Sequence, residues 1–475
     1  MSKRQNTFNK IAIFAGAAAL MALTPQTHAQ SSVDALLNKL EQKGILSVDE
    51  ARELRTENEQ GSADDFNKAL GAKFPMPDWV TSYNLYGDFR GRYDEIIANG
   101  PVTSATSYNG GNTQIRLRYR MRVGMVVTMK DDLEVGFRLG TDDAGSTATG
   151  GNPLSNNSTF QGNGSKKFIY VDAAYGKWTP INDGTWMAAG TFGKMNNPFV
   201  FSPMVFDPDY TPEGGALQAT YKINDKNSVA FNSAAFVLNQ FNTRDPFMYG
   251  GQIIWTANWT PKIATSLGIG ALDIANINQG AISQGGGAGT TTAVGYDTNL
   301  GNTTTLAGLG GIPILVNHYN PVIADASVVY TLDSFPLYTG AFPIKLAGEY
   351  MANPCVSSGN SGWWAGVTLG KSGKKGSWDI SYRYQYLEAD AWWDQIVDDD
   401  NVARFLTTPT SPVPNTTVSA VGGTNIKGSL IKFDYSIYDS LTFTFTCYIN
   451  DLINNPSPGT PTDAMHTMAD LMWKF

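Results

Sequence analysis

Ile115-Arg116-Leu117-Arg118-Tyr119-Arg120-Met121-Arg122-Val123-Gly124-Met125 decides the fold. Apolar and cationic residues alternate strictly through it. A helix would scatter the four arginines around its circumference, whereas a strand puts every arginine on one face and every apolar residue on the other. Leu441, Phe443 and Phe445, set against Thr442, Thr444 and Thr446, repeat the pattern late in the chain. An arginine at the bilayer midplane costs roughly 2–4 kcal/mol on the lipid face of a barrel. If this strand crosses a membrane, its arginines therefore face inward and its apolar row faces lipid.

The rest of the chain supports a crossing. Lys3, Arg4 and Lys10 precede an apolar run of thirteen residues, Ile11 to Leu23, which is too short to span a bilayer as a helix. The run ends in Thr27-His28-Ala29, a small-residue cleavage pattern, and residues 1–29 are expected to be an export signal. Removing its three cations from the formal charge of −8 leaves −11, a poor balance for holding nucleic acid phosphates. Aromatics make up 12% of the chain, and charged residues only 16%, below the ~25% of soluble domains. An exported chain that is rich in aromatics and glycine and lacks an apolar span after the signal is expected to be a β-barrel.

Residues 30–60 have helical spacing: Val33, Leu36, Leu37 and Leu40 come before Gly44, and Ser47 with Glu50 forms a capping box for a second short helix. This predicts a periplasmic helical hairpin, followed by a linker over 61–78 and a barrel over 79–475. Sixteen alternating segments are expected, near 79–93, 113–129, 132–140, 166–178, 184–193, 213–222, 227–237, 248–259, 263–274, 322–332, 343–351, 362–370, 376–388, 427–437, 440–449 and 464–475. Every second connection is short and the others are mostly longer, which is the asymmetry of bacterial barrels. The expected fold is thus all-β, a 16-stranded antiparallel transmembrane barrel with a short N-terminal helical hairpin. Its expected location is the cell outer membrane.

Parity extends the cationic face. Arg90 and Arg92 oppose outward Leu85 and Phe89, and Arg138 opposes outward Val135 and Phe137. Together with Arg116, Arg118, Arg120 and Arg122 they form an expected pore-lining basic wall, which Asp88, Asp94 and Glu134 share. A dry interior would leave unpaired guanidinium groups at large cost, so a water-filled lumen is expected.

The connection at 194–213 carries Gly193-Lys194, then Asn197-Pro198-Phe199, and later Asp207-Pro208-Asp209-Tyr210-Thr211-Pro212-Glu213-Gly214. With Lys43-Gly44-Ile45-Leu46-Ser47 and Glu50-Ala51 in the hairpin, these stretches resemble the putative porin family of Gram-negative bacteria. The resemblance implies a 16-stranded diffusion channel, a homotrimer, admitting small hydrophilic solutes. In such a channel Asn197, Phe199, Asp207, Asp209 and Glu213 are expected on an inward constriction loop whose acids face the arginine wall across a transverse field. Leu471, Trp473 and Phe475 close an alternating final strand and resemble a C-terminal signal for the barrel-assembly machinery.

Other residue types point to less. His318 and His466 are far apart in sequence, and no nucleophile-elbow or zinc-helix pattern is present, so no enzyme, metal or cofactor is expected. His466 shares the inward parity of Asp470. Asp394, Asp398, Asp399 and Asp400 are expected in a solvated outer loop, where they could share divalent cations with lipopolysaccharide. Cys355 and Cys447 fall on the long-loop side, with free thiols favoured over a bridge because Cys447 has the outward parity of Phe443. Two function classes follow: passive diffusion, with small anions favoured if the arginines dominate, or a structural or adhesive barrel anchored to the cell wall.

Overall fold

The computed structural model describes residues 77–99, 113–143, 151–240, 245–277, 300–307, 312–406, 418–455, 458–459 and 461–475. The expected signal, helical hairpin and most of the linker lie outside them. The unit Asn84–Phe475 holds the barrel, apart from the first four residues of β1.

Sixteen strands build it: β1 Val80–Ala98, β2 Thr113–Met129, β3 Leu133–Asp142, β4 Phe168–Asn182, β5 Trp186–Lys194, β6 Glu213–Asn224, β7 Asn227–Val237 and β8 Phe247–Thr260 in the first half. The second half holds β9 Ile263–Ala275, β10 Val322–Leu332, β11 Phe342–Ala352, β12 Ser361–Gly370, β13 Trp378–Leu387, β14 Ile426–Tyr438, β15 Leu441–Leu452 and β16 Ala464–Lys474. Each pairs with its sequence neighbour, and β1 pairs with β16 from Asp88↔Lys474 to Ala98↔Ala464, so the sheet closes on itself. Closure leaves no unpaired edge, which a bilayer demands of any spanning sheet. All sixteen expected segments are present.

The turns follow local chemistry. Lys130–Asp132 links β2 to β3 in a single tight turn, with Asp131 and Asp132 both left-handed. Between β6 and β7 the Asn224 side-chain oxygen accepts from the backbone of Lys226 and Asn227, an Asx turn. A bulge between β3 and β4 pairs Arg138 with Ala173 and Leu139 with Val171, which leaves Asp172 as the extra residue. The bulge lets Asp172 reach Arg138.

The outer face is apolar. Leu85, Ile115, Leu117, Val135, Leu217, Ile253, Ile269 and Leu346 are exposed, and Phe192 is 78% exposed. Such a face is stable only against lipid.

The inner face differs from the expectation of a uniformly wet lumen. Around β7 to β13, the loop-end inward residues Phe236, Met248, Leu272, Ile274, Ile323, Met351 and Leu387 are fully buried. They pack with Phe199, Met204, Val205 and Phe206 from the β5–β6 connection and Trp392, Trp393, Ile396 and Val397 from the β13–β14 connection. Two long loops therefore fold inward and form a hydrophobic core inside the barrel.

Candidate functional site

The charged wall forms where β1 to β4 and β16 present short-spaced inward side chains. All seven expected arginines point inward, and each has a carboxylate within reach. Arg116 donates to both oxygens of Asp94 at 3.1 and 3.0 Å, and Arg118 lies 3.5 Å from the same carboxylate, which has no exposed side-chain surface. Arg120 and Arg122 share Asp88 on the wall and Asp209 on the first infolded loop, at 3.1 and 3.0 Å and at 2.8 and 3.4 Å respectively. Arg92 holds Asp470 through two donors, at 2.8 and 3.0 Å, and Asp400 at 3.2 Å. Arg90 donates to Asn157 Oδ1 at 2.7 Å and stands 3.9 Å from Asp470. Arg138 pairs with Asp172.

This corrects the expectation that a filled interior would leave the arginines unpaired. Backbone parity fixes which way a side chain points, but its partners come from distant strands and loops. Charge-assisted hydrogen bonds of this geometry offset the loss of hydration on burial. Seven guanidinium groups meet four carboxylates of the barrel wall, Asp88, Asp94, Asp172 and Asp470, and two from the loops, Asp209 and Asp400. These seven cations and six acids leave a formal excess of one positive charge, where the seven with only Asp88, Asp94 and Glu134 would leave four.

The five residues of the candidate constriction loop have different positions. Asp209 meets the arginines directly, so it does not face them across an open gap. Its neighbour Asp207 is buried and turned away: its carboxylate accepts from the backbone N–H of Asp209 and of Asp399. Phe199 stacks on Phe201 and Phe206 in the internal core, and Asn197 caps the turn by accepting from the Phe199 N–H at 3.1 Å. Glu213 is not part of the constriction. It opens β6 on the outward parity of Leu217, is 67% exposed, and pairs with Lys194 at 3.5 Å.

The β13–β14 connection overturns a second expectation. Asp394 and Asp398 are buried rather than solvated. Asp398 accepts from Tyr448 Oη at 3.0 Å and lies 3.7 Å from Arg383. Burial, and then the nearby Asp400 charge, push its carboxyl up to about 6. The carboxylates of Asp207, Asp398 and Asp399 lie within 4.8 Å of one another at the seam between the two loops. Burial holds Asp207 and Asp399 well above the usual carboxylate range, helped by the charges of Asp399 and Asp398 at Asp207 and of Asp400 and Asp398 at Asp399. A third inward segment joins them: Asn302 donates to the Ala389 and Trp392 carbonyls, and Tyr319 Oη donates to Asp390 at 3.1 Å.

His466 is inward as expected, and it links wall to loop. Its Nδ1 is 2.7 Å from the Asp400 carbonyl oxygen, which can only accept, so Nδ1 donates; Nε2 lies 3.3 Å from Asp94. Cys355 and Cys447 are free thiols. Phe475 is tied into the closing seam by two backbone hydrogen bonds with Gly87, at 2.8 and 3.1 Å, and Trp473 packs on Phe89 with ring centroids 5.7 Å apart.

A closed barrel with an apolar outer face and a charged interior defines a multi-pass β-barrel of the outer membrane. Residues 97–305 match the family described as Putative porin, a stretch that includes β2 to β9 and the 193–214 motif, so the family resemblance holds there. No curated protein matches the sequence. Among solved structures, a high-pH structure of Pseudomonas putida OprB is similar at 11% identity and TM-score 0.46, over 83% of this chain and 94% of that one. The outer membrane channel DcaP of Acinetobacter baumannii is similar at 13% identity and TM-score 0.40, over 83% and 97%. A triple mutant of Rhodopseudomonas blastica porin is similar at 8% identity and TM-score 0.38, over 83% and 100%.

Proposed function

We propose that this barrel passes small hydrophilic solutes and ions by passive diffusion, with a modest preference for anions. The path runs along the arginine wall, beside the infolded loops. The observation that carries this reading is the ladder of seven inward guanidinium groups opposite an apolar outer face. The ladder keeps partial access, 26% at the Arg116 side chain and 28% at that of Asp400, whereas the loop-end core of the β7–β13 side is fully buried. The ladder's small positive excess favours anions such as phosphate or carboxylates weakly, and local field strength sets that selectivity. No covalent step is required. Trimer formation, lipopolysaccharide contact and recognition of Leu471, Trp473 and Phe475 by the assembly machinery extend the same reading.

The test is single-channel conductance and reversal potential in planar bilayers under a salt gradient. Wild type should conduct with a small anion preference. Replacing Arg116, Arg118 and Arg120 together by Gln should reverse that preference towards cations, and an unmoved reversal potential would remove the wall from the path. The paired arginines and packed loops also favour a second reading, a structural or adhesive barrel. Wild-type protein that inserts but passes no current would establish that one instead.

A further inference from the structure

The segment 388–402 follows β13, far along the chain from the 194–213 connection, yet it reaches the same arginine wall, at Arg92 where Asp209 takes Arg120 and Arg122. We infer that it is a second constriction element and that Asp400 is a selectivity-determining residue. This rests on the diffusion-channel reading.

The segment is fixed from several sides. Trp392 is fully buried and donates through its indole N–H to the Val205 carbonyl at 2.9 Å, and Ile396 and Val397 sit in the internal core. Its backbone is hooked to the first infolded loop: the Asp398 N–H donates to the Pro203 carbonyl at 3.0 Å, and the Asp207 N–H donates to the Ile396 carbonyl at 2.8 Å. On the wall side the Asp400 carbonyl accepts from His466 and the Val402 carbonyl accepts from Asn450. Asp400 is therefore held in place by its neighbours on both sides, with His466 as a positioning residue.

What Asp400 does there follows from charge and access. Its side chain is 28% exposed, more than those of Asp88, Asp94, Asp172, Asp209 and Asp470. It shields Arg92 Nη1 on the open side, while Asp470 occupies Nε and Nη2 from the wall. An anion moving along the ladder meets the Asp400 carboxylate before it meets Arg92. Removing that charge frees a guanidinium donor and doubles the ladder's formal excess.

The experiment is the reversal potential of Asp400→Asn, with Asp400→Glu and Glu213→Gln beside it, each checked for barrel closure by heat-modifiable gel mobility. One elementary charge about 6 Å from the path, in a water-like dielectric, changes ion partitioning about threefold. The factor acts in opposite directions on anions and cations, so Asp400→Asn should raise the anion-to-cation permeability ratio about tenfold, while Asp400→Glu and Glu213→Gln stay near wild type. An unchanged ratio in Asp400→Asn, or an equal shift in Asp400→Glu, overturns the assignment. Failure of wild type to conduct instead removes the channel reading on which it stands.

Discussion

The two sides of the barrel interior obey the same alternation and reach opposite results. On β1 to β4, inward means charged: Arg92, Asp94, Arg118 and Arg120 form a ladder in which every cation has a carboxylate. At the loop ends of β7 to β13, inward means Phe236, Met248, Leu272, Ile323 and Met351, while Asn232, Gln252 and Glu349 stand further along the same inward rows. Strand parity assigns a side chain to a face but does not say what covers that face. Here the covering differs, because the apolar parts of both infolded loops pack against one side while Asp209 and Asp400 reach the other.

That contrast breaks most readily at its dry side. Trp392→Ala removes the largest fully buried side chain of the internal core, and Trp-to-Ala truncations cost about 3–5 kcal/mol. The 388–402 segment should then leave the wall, with a several-fold rise in conductance and new protease cleavage within it. Unchanged conductance would mean that this core does not hold the segment in place.

A smaller effect is expected from acid. Asp398 is raised to about 6, so the packed loops hold a proton that an unpacked carboxyl releases near its ordinary 3.8. An acid raised in the folded state favours that state at low pH, and its support fades as pH rises from about 4 through about 6. Asp207 and Asp399 act in the same direction. Asp400 is lowered, because its partial loss of water is outweighed by Arg92 and then His466, so its contribution is lost only below the ordinary carboxylate range. Conductance should increase between pH 4.5 and 7, and Asp398→Asn should flatten that rise. A flat profile in wild type would remove the carboxylate seam from any control of the path.

The smallest effect sharpens the boundary of the wall. Glu213 lies on the outward parity beside Lys194, so Glu213→Gln should leave the reversal potential where it is. A shift comparable to that of Asp400→Asn would return Glu213 to the lumen.

The strands and the arginine face were legible because period two is a local signal, strongest where Arg116 to Arg122 alternate with apolar residues. Partners were less legible: Asp172 enters through a bulge, and Asp470 is 378 residues from Arg92. The infolding of residues 388–402 escaped a reading that gave weight to its acids alone. Trp392, Trp393, Ile396 and Val397 within six residues are more apolar surface than a solvated loop carries, and they were the available signal. Glu213 stands on a boundary that the connection 194–213 and the expected strand 213–222 both claim, and only its shared parity with exposed Leu217 turns it outward.

The seam between β1 and β16 joins the making of the barrel to its use. Arg92 and Asp94 belong to the first strand, while Asp470 and His466 belong to the last. Until those strands meet, half of each pair is missing and Asp400 has no carbonyl anchor on His466. A barrel left open at this joint would lack the upper part of its charge ladder, so no partly assembled form can filter as the finished one does.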